Sequence, residues 1–498
     1  MSIFHQISVK SAKVKIRVSL QEISRCAVLI SAVAFTGCSA TGSYGSFRTD
    51  NKILVGDMTR KAFQYEGIER HPVIVIPGIF GTQLTDPETK SIVWGQFTGK
   101  EMVANFSAEQ LRLLSLPMEE GKGLEDLRDP VIPSGVLETI KVRLLGLPLH
   151  VNAYKDMTDA LELGGYSSGS TQPGAGKKYD TSFPFGYDWR RDLVETAKQL
   201  HAFIQEKKQY LQKKYEEVYG VKDYDVKFDI VAHSMGGLIA RYYLLYGDAD
   251  LPADGSMPAV TWQGARNISK AVIVGTPNAG YLDAFTELVE GLVFAPGVPR
   301  IEPAAVGTWS TLYEMMPVPS LGMVVDEKGE HLDLYDPTVW SRMKWGLADP
   351  RQEKELAKLL PGVTSSEKRR AIAVDHLQKS LARAKQFAGA VGVDAVPPAG
   401  LGLHLFVGES IPTNARASVE EKTGKVMVVK QMPGDGKVPA LSAIYNKTAE
   451  SKEVGPFVGS RIHWDSVTFL FAAHMGITRD PVFISNMLYI LLTGRDEP

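Results

Sequence analysis

A serine, a carboxylate and a histidine can together perform acyl transfer, and in this chain the serine is the easiest of the three to find. Ser234 lies in Asp229-Ile230-Val231-Ala232-His233-Ser234-Met235-Gly236-Gly237-Leu238-Ile239-Ala240. Ile230-Val231-Ala232 reads as the end of a buried strand, and Leu238-Ile239-Ala240 as part of an apolar helix. The small residues Ala232 and Gly236, two positions either side of the serine, let the chain reverse in a turn too tight for most residues. Such a turn holds the serine hydroxyl up at the carboxyl end of the strand. Ala232 stands where the Gly-x-Ser-x-Gly form of this turn has its first glycine. Five residues of this kind also occur in unrelated serine-glycine loops, so the rest of the chain must decide.

A serine hydroxyl is a poor nucleophile at neutral pH; it needs a base within hydrogen-bond reach and a carboxylate that fixes the base in the right tautomer. The strand, turn and helix around Ser234 match the nucleophile elbow of α/β-hydrolases, whose chain order is serine, acid, histidine. Downstream lie His331, His376, His404, His463 and His474. The first two fall in a long insertion and His404 in a predicted strand, so these read as surface or core residues. His474 precedes Met475-Gly476-Ile477-Thr478-Arg479-Asp480-Pro481 and an apolar helix over Val482 to Leu492, on a loop entering the last helix. That is where the fold carries its base, and His474 is preferred over His463. For the acid, Asp435 follows the β-branched run Lys425 to Val429 and sits between Gly434 and Gly436, where the backbone can turn sharply. Asp465 and Asp480 stand so near a candidate histidine that capping or decorating the final helix suits them better. Asp188 precedes the serine; with Trp189 and Arg190 it reads as pocket floor or as a structural ion pair.

The elements that must position these residues alternate. His71-Pro72-Val73-Ile74-Val75-Ile76-Pro77-Gly78 is a continuous apolar run closed by Pro-Gly, as in a strand buried on both faces of a parallel sheet. The pattern returns at Val226 to Ala232, Lys270 to Gly275 and Leu403 to Gly408. Between them, Leu193 to Tyr215 repeats apolar residues at three- and four-residue intervals. Strands alternating with helices predict an α/β fold with a mostly parallel, doubly wound sheet. Two stretches, about 95–150 and 281–395, fit the sheet poorly and read as cap or lid insertions crossing its carboxyl edge, where ligands bind in such folds. The leucines there, with Trp309, Trp340 and Trp345, serve equally well to pack each insertion's own core.

Several separated blocks resemble the lecithin:cholesterol acyltransferase-like group of α/β-hydrolases. Val75-Ile76-Pro77-Gly78-Ile79-Phe80-Gly81-Thr82-Gln83-Leu84 is similar to that family's Val-Pro-Gly block, and Tyr187-Asp188-Trp189-Arg190 to its Tyr-Asp-Trp-Arg. The elbow, the turn Gly275-Thr276-Pro277-Asn278-Ala279-Gly280 and the block Gly434-Asp435-Gly436-Lys437-Val438-Pro439 follow in the same order, with Lys437 in place of the family's Thr. The resemblance implies a hydrolase or acyltransferase acting on lipid esters through an acyl-enzyme on Ser234, with water or an alcohol as acceptor. It also points to the backbone N–H of Ile79 as one donor to the developing oxyanion. The other is Met235 N–H, next after the nucleophile and free of an intrahelical acceptor at the helix start. The alternative is a non-catalytic, membrane-tethered binding protein of the same fold.

With 498 residues, 44% of them hydrophobic, the chain can bury a large core, and its net charge of −2 gives no hint of a nucleic-acid partner. Its amino terminus carries Lys10, Lys13, Lys15, Arg17 and Arg25, then an apolar run from Cys26 to Phe35 too short to span a bilayer. Phe35-Thr36-Gly37-Cys38 resembles a bacterial lipobox, with Phe35 where that motif has Leu. Residues 1–37 are therefore expected to be an export signal of lipoprotein type, with Cys38 the lipid attachment point. A flexible tether over 38–60 and the catalytic domain over 61–498 would follow, in an outer-membrane lipoprotein or a periplasmic or secreted protein. The tether is rich in Gly, Ser and Thr. Beyond Cys38 there is no further cysteine, so no disulfide framework is expected. With no phosphate-binding glycine loop and no zinc-binding histidine pair, no cofactor or metal is expected. Expected partners are a lipid or acyl-ester substrate and a membrane surface; oligomeric state is not legible.

Overall fold

The computed structural model describes residues 67–97, 106–144, 147–168, 178–294, 300–446 and 459–493, all within one compact unit, Lys61–Pro498. The export signal, Cys38 and the tether lie outside the described residues.

The six-stranded central sheet comprises β1 (Val73–Ile76), β2 (Ser182–Pro184), β3 (Phe228–His233), β4 (Ile268–Val274), β5 (Gly402–Gly408) and β6 (Ser466–Leu470). They lie in the order β6-β5-β4-β3-β1-β2, and every pairing is parallel. All residues of β1 and β3 are buried, as the apolar runs Val73–Ile76 and Ile230–Ala232 require in a sheet covered on both faces. The four central strands are those expected from the sequence. The chain steps from β1 outward to β2, then returns past β1 to start the other half at β3. The crevice between the carboxyl ends of β1 and β3 is thus the topological switch point, the usual ligand position in open α/β sheets.

Helix α1 (Leu193–Tyr219) begins where the Asp192 carboxylate accepts the N–H groups of Val194 and Glu195, and stops at Gly220 in the left-handed conformation. It runs one turn past the predicted end because Gly220, rather than the last apolar residue, terminates it. Helix α2 (Met235–Tyr246) is buried along its whole length and packs against α1 and β3. Helices α3 (Leu282–Glu290) and α4 (Ser366–Val391) belong to the second insertion, and α5 (Pro481–Leu492) closes the domain. Trp309, Trp340 and Trp345 are fully buried; Trp340 and Trp345 pack against each other and Phe285 within the insertion, whereas Trp309 packs against Trp189 and Phe80 outside it. Trp309 also joins the two insertions: its Nε1–H donates to Leu114 O at 2.7 Å, and Leu116 N–H donates to Thr308 Oγ1 at 2.9 Å. The run at Lys425 extends as a strand to Gly434, paired antiparallel with Ile411–Glu420 outside the central sheet. Among the described residues, no helix is long and apolar enough to cross a membrane.

Candidate active site

Ser234 occupies the turn between β3 and α2 with φ 53° and ψ −128°. A non-glycine residue rarely takes this backbone conformation, which costs about 1–3 kcal/mol unless its surroundings enforce it. Three hydrogen bonds do so. Ser234 N–H donates to Val274 O at 2.8 Å, and Ser234 O accepts from Thr276 Oγ1 at 2.8 Å and from Gly237 N–H at 3.0 Å. A Cβ at Gly236 would lie 2.6 Å from both Ile76 O and Pro77 O, so the turn passes β1 with room for a hydrogen only.

Asp435 and His474, 39 residues apart in the chain, meet at this turn. His474 Nε2 is 2.9 Å from Ser234 Oγ, and His474 Nδ1 is 2.7 Å from Asp435 Oδ2. With Nδ1–H donating to the carboxylate, Nε2 is left to accept the serine proton. The other carboxylate oxygen of Asp435 accepts the N–H groups of Lys437 at 2.9 Å and Val438 at 2.7 Å. Burial pushes the Asp435 carboxyl up, but the adjacent His474 and those two N–H groups outweigh it and hold the group below its ordinary value.

The competing residues are occupied elsewhere. His463 pairs with Asp394 at 2.8 Å and is half exposed. Asp465 accepts Leu403 N–H at 2.6 Å, and Asp480 caps α5 by accepting the N–H groups of Val482 and Phe483. His404 contacts Ser466 Oγ at 2.8 Å from within β5, and His376 is buried against Thr308 O. Asp188 forms an ion pair with the fully buried Arg190, which also meets Asp129 at 2.8 Å. That is the structural ion-pair alternative for Asp188. Its neighbours do support the site: Tyr187 Oη donates to Pro77 O at 2.6 Å and Trp189 Nε1–H to Thr82 O at 3.2 Å.

The loop after β1 crosses directly over the serine. A Cβ at Gly78 would lie 2.7 Å from Ser234 Cβ and 3.3 Å from its Oγ. Gly78 N–H donates to Tyr154 Oη at 2.7 Å, and the Ile79 amide follows it on the same loop. Met235 lies at the first position of α2. Phe80, with φ 66°, turns its ring into an aromatic cluster, with centroids 4.8 Å from Trp94, 4.7 Å from Trp189, 5.4 Å from Phe294 and 6.0 Å from Trp309. A cavity of about 630 Å³ lined by Val289, Arg300, Trp345 and Asp349 touches none of these site residues.

Reading from the sequence alone missed Tyr154 and His233. His233 is fully buried beside the serine, with its ring centroid 5.0 Å from that of His474. Its place next to Ser234 was visible, but nothing local marked Tyr154 as its partner.

The sheet order, the strained serine turn at the switch point and the loops converging on it are those of the α/β-hydrolase fold. Residues 150–357 match the family model described as lecithin:cholesterol acyltransferase, so this part of the chain is similar to that family. The match contains the elbow and the Tyr187–Arg190 block and ends before Asp435 and His474, which geometry alone brings to the site. A chain in the crystal structure of the Tle4-Tli4 complex is similar in fold at 15% identity and a TM-score of 0.53, covering 85% of this chain and 98% of that one. EstA from Clostridium botulinum aligns at 12% identity and a TM-score of 0.31, covering 87% and 90%. No curated protein sequence matches.

Proposed function

We propose that the protein cleaves lipid ester bonds through an acyl-enzyme on Ser234, passing the acyl group to water or to an alcohol. The match of residues 150–357 to the lecithin:cholesterol acyltransferase model supports lipid ester hydrolysis or acyl transfer as the class of reaction. The observation that carries the serine mechanism is the continuous contact from Asp435 Oδ2 through the His474 ring to Ser234 Oγ. In this reading His474 Nε2 takes the hydroxyl proton as Ser234 Oγ attacks the ester carbonyl. The negative oxygen is held by the amides of Ile79 and Met235, each worth about 3–4 kcal/mol when well placed. His474 then returns the proton to the departing alcohol oxygen. In the second half, water or an acceptor alcohol loses its proton to Nε2, attacks the acyl carbon, and Ser234 Oγ regains the proton.

Water and alcohol use the same residues, so the acceptor is decided by product analysis. Membrane lipids incubated with the enzyme are expected to give free fatty acid without added alcohol, and a new ester only where alcohol is added if transfer is the reaction. Intact lipids in both arms would oppose the reading and favour a binding protein of the same fold.

We infer further that the chain is exported and lipid-attached at Cys38. The lipobox-like Phe35-Thr36-Gly37-Cys38 supports this, and more than one acyl chain at Cys38 would make attachment stable. A palmitate analogue is expected to label the wild type and not Cys38→Ala; equal labelling and membrane attachment of both would contradict it.

A further inference from the structure

Behind the serine runs a buried chain of hydrogen bonds. Gly78 N–H donates to Tyr154 Oη at 2.7 Å, Tyr154 Oη lies 2.9 Å from His233 Nδ1, and His233 Nε2 lies 3.1 Å from His474 O. Its direction follows from the groups. A carbonyl only accepts, so His233 Nε2 carries the hydrogen; in a neutral ring Nδ1 is then an acceptor, and Tyr154 O–H donates to it. Burial, together with the neighbouring His474, lowers the pKa of His233 to about 3, so the neutral ring is the stable one.

The two ends of this chain are the two loops that matter. One end fixes the N–H of Gly78, while Gly78 O accepts Gly81 N–H at 3.1 Å. The peptide unit joining Gly78 to Ile79 is planar and trans, so anchoring its carbonyl oxygen also aims the Ile79 N–H the opposite way. The other end holds the carbonyl of His474, whose own N–H donates to Asp435 O at 2.8 Å. Tyr154 follows the first insertion and His233 ends β3, so neither loop supplies its own clamp.

We propose that Tyr154 and His233 are positioning residues that lock the loop presenting the Ile79 amide to the loop presenting the His474 base. Neither touches substrate. They set the separation between the donor to the oxyanion and the base on the serine, and the inference rests on reading Ser234 as the nucleophile. Tyr154→Phe removes both the acceptor for Gly78 N–H and the donor to His233 while keeping the ring. His233→Gln keeps an N–H for His474 O but offers Tyr154 no ring nitrogen.

The test uses the full-length protein, an acyl ester substrate and an alkyl trifluoromethyl ketone, which forms a tetrahedral adduct with a serine. Active sites are counted by fluorophosphonate labelling. Per labelled site, Tyr154→Phe is expected to lower kcat about 10- to 100-fold with KM changed by less than about twofold, because one oxyanion donor is misaimed. Affinity for the ketone should fall by the same factor, which loss of stability alone would not cause. His233→Gln should behave alike, so the inference stays open to refutation if one variant does not fold. Either folded variant with parental kcat and ketone affinity overturns it. A parent whose Ser234 is not labelled overturns the serine reading and this inference together; a labelled parent with unaffected variants overturns this inference alone.

Discussion

Asp435 and His474 are joined twice: His474 Nδ1 lies 2.7 Å from Asp435 Oδ2, and His474 N–H donates to Asp435 O at 2.8 Å. The side-chain contact fixes the ring's tautomer, and the backbone contact fixes where the ring begins. Two loops far apart in the chain, one leaving the hairpin strand Lys425–Gly434 and one following β6, are thereby held as a unit. A carboxylate alone would orient the imidazole but would not hold its loop.

Asp435→Asn tests the first of these contacts. The amide oxygen can still accept from Lys437 and Val438, but the amide nitrogen would then face His474 Nδ1 and favour the wrong tautomer. A loss of about 10⁴ in kcat is expected, as for such a change in other serine triads. Melting temperature and kcat measured together check it, and a variant within tenfold of the parent would contradict it.

Substitution separates His474, the base preferred from the sequence, from its competitor His463. His474→Ala should lose most of its turnover, on the order of 10⁴-fold or more. His463→Ala should stay within about twofold, since an exposed pair such as His463 with Asp394 contributes little. The reverse pattern in an ester assay would show that the base is misassigned.

Gly78→Ala places a methyl group 2.7 Å from Ser234 Cβ, so the loop or the serine must shift. A displacement near 1 Å in an active site costs about 100-fold in rate. The expected result is a comparable fall in kcat/KM with circular dichroism unchanged; activity within threefold of the parent would contradict the close crossing of that loop.

Glu314 predicts a pH effect on stability. It is buried beneath the start of α1, where Oε2 accepts Leu193 N–H at 2.9 Å and Oε1 has no hydrogen-bond partner among the described residues. Burial, reinforced by Asp192, holds its pKa well above the ordinary value, beyond what Leu193 N–H and Arg383 offset. The folded chain therefore keeps a proton that the unfolded chain releases. From about pH 4.5 up to the raised value, stability falls as pH rises, at up to about 1.4 kcal/mol per pH unit. Glu314→Gln retains an acceptor for Leu193 and cannot ionise. Its melting temperature should exceed the wild type's by several degrees at pH 8. The gap should close toward pH 4; parallel melting profiles would contradict this.

The serine was legible because its signal is local: strand, small residues and helix start within a dozen positions. His474 and Asp435 were legible through chain order, helped by the apolar run that becomes α5 and by the glycines around Asp435. The edge strands β2 and β6 were not. β2 is only Ser182–Pro184, and β6 is half-exposed along most of its length, so neither shows the continuous apolar run of a central strand. Tyr154 left no trace in the sequence because its meaning lies in what it touches, Gly78 on one side and His233 on the other. Similarly, Asp188 could have lined the pocket or paired with Arg190; only the placing of Arg190 between Asp188 and Asp129 decides for the ion pair.

The central claim is an acyl group on Ser234, and acid-quenched digestion with tandem mass spectrometry after brief incubation with an acyl ester tests it most directly. The predicted result is a mass increment equal to the acyl group on the peptide containing Ser234. It should be present in the wild type, absent in Ser234→Ala, and accompanied in that variant by loss of turnover on the order of 10⁴- to 10⁶-fold. An increment on a different residue, or Ser234→Ala retaining more than about a tenth of the parent's turnover, would contradict the account.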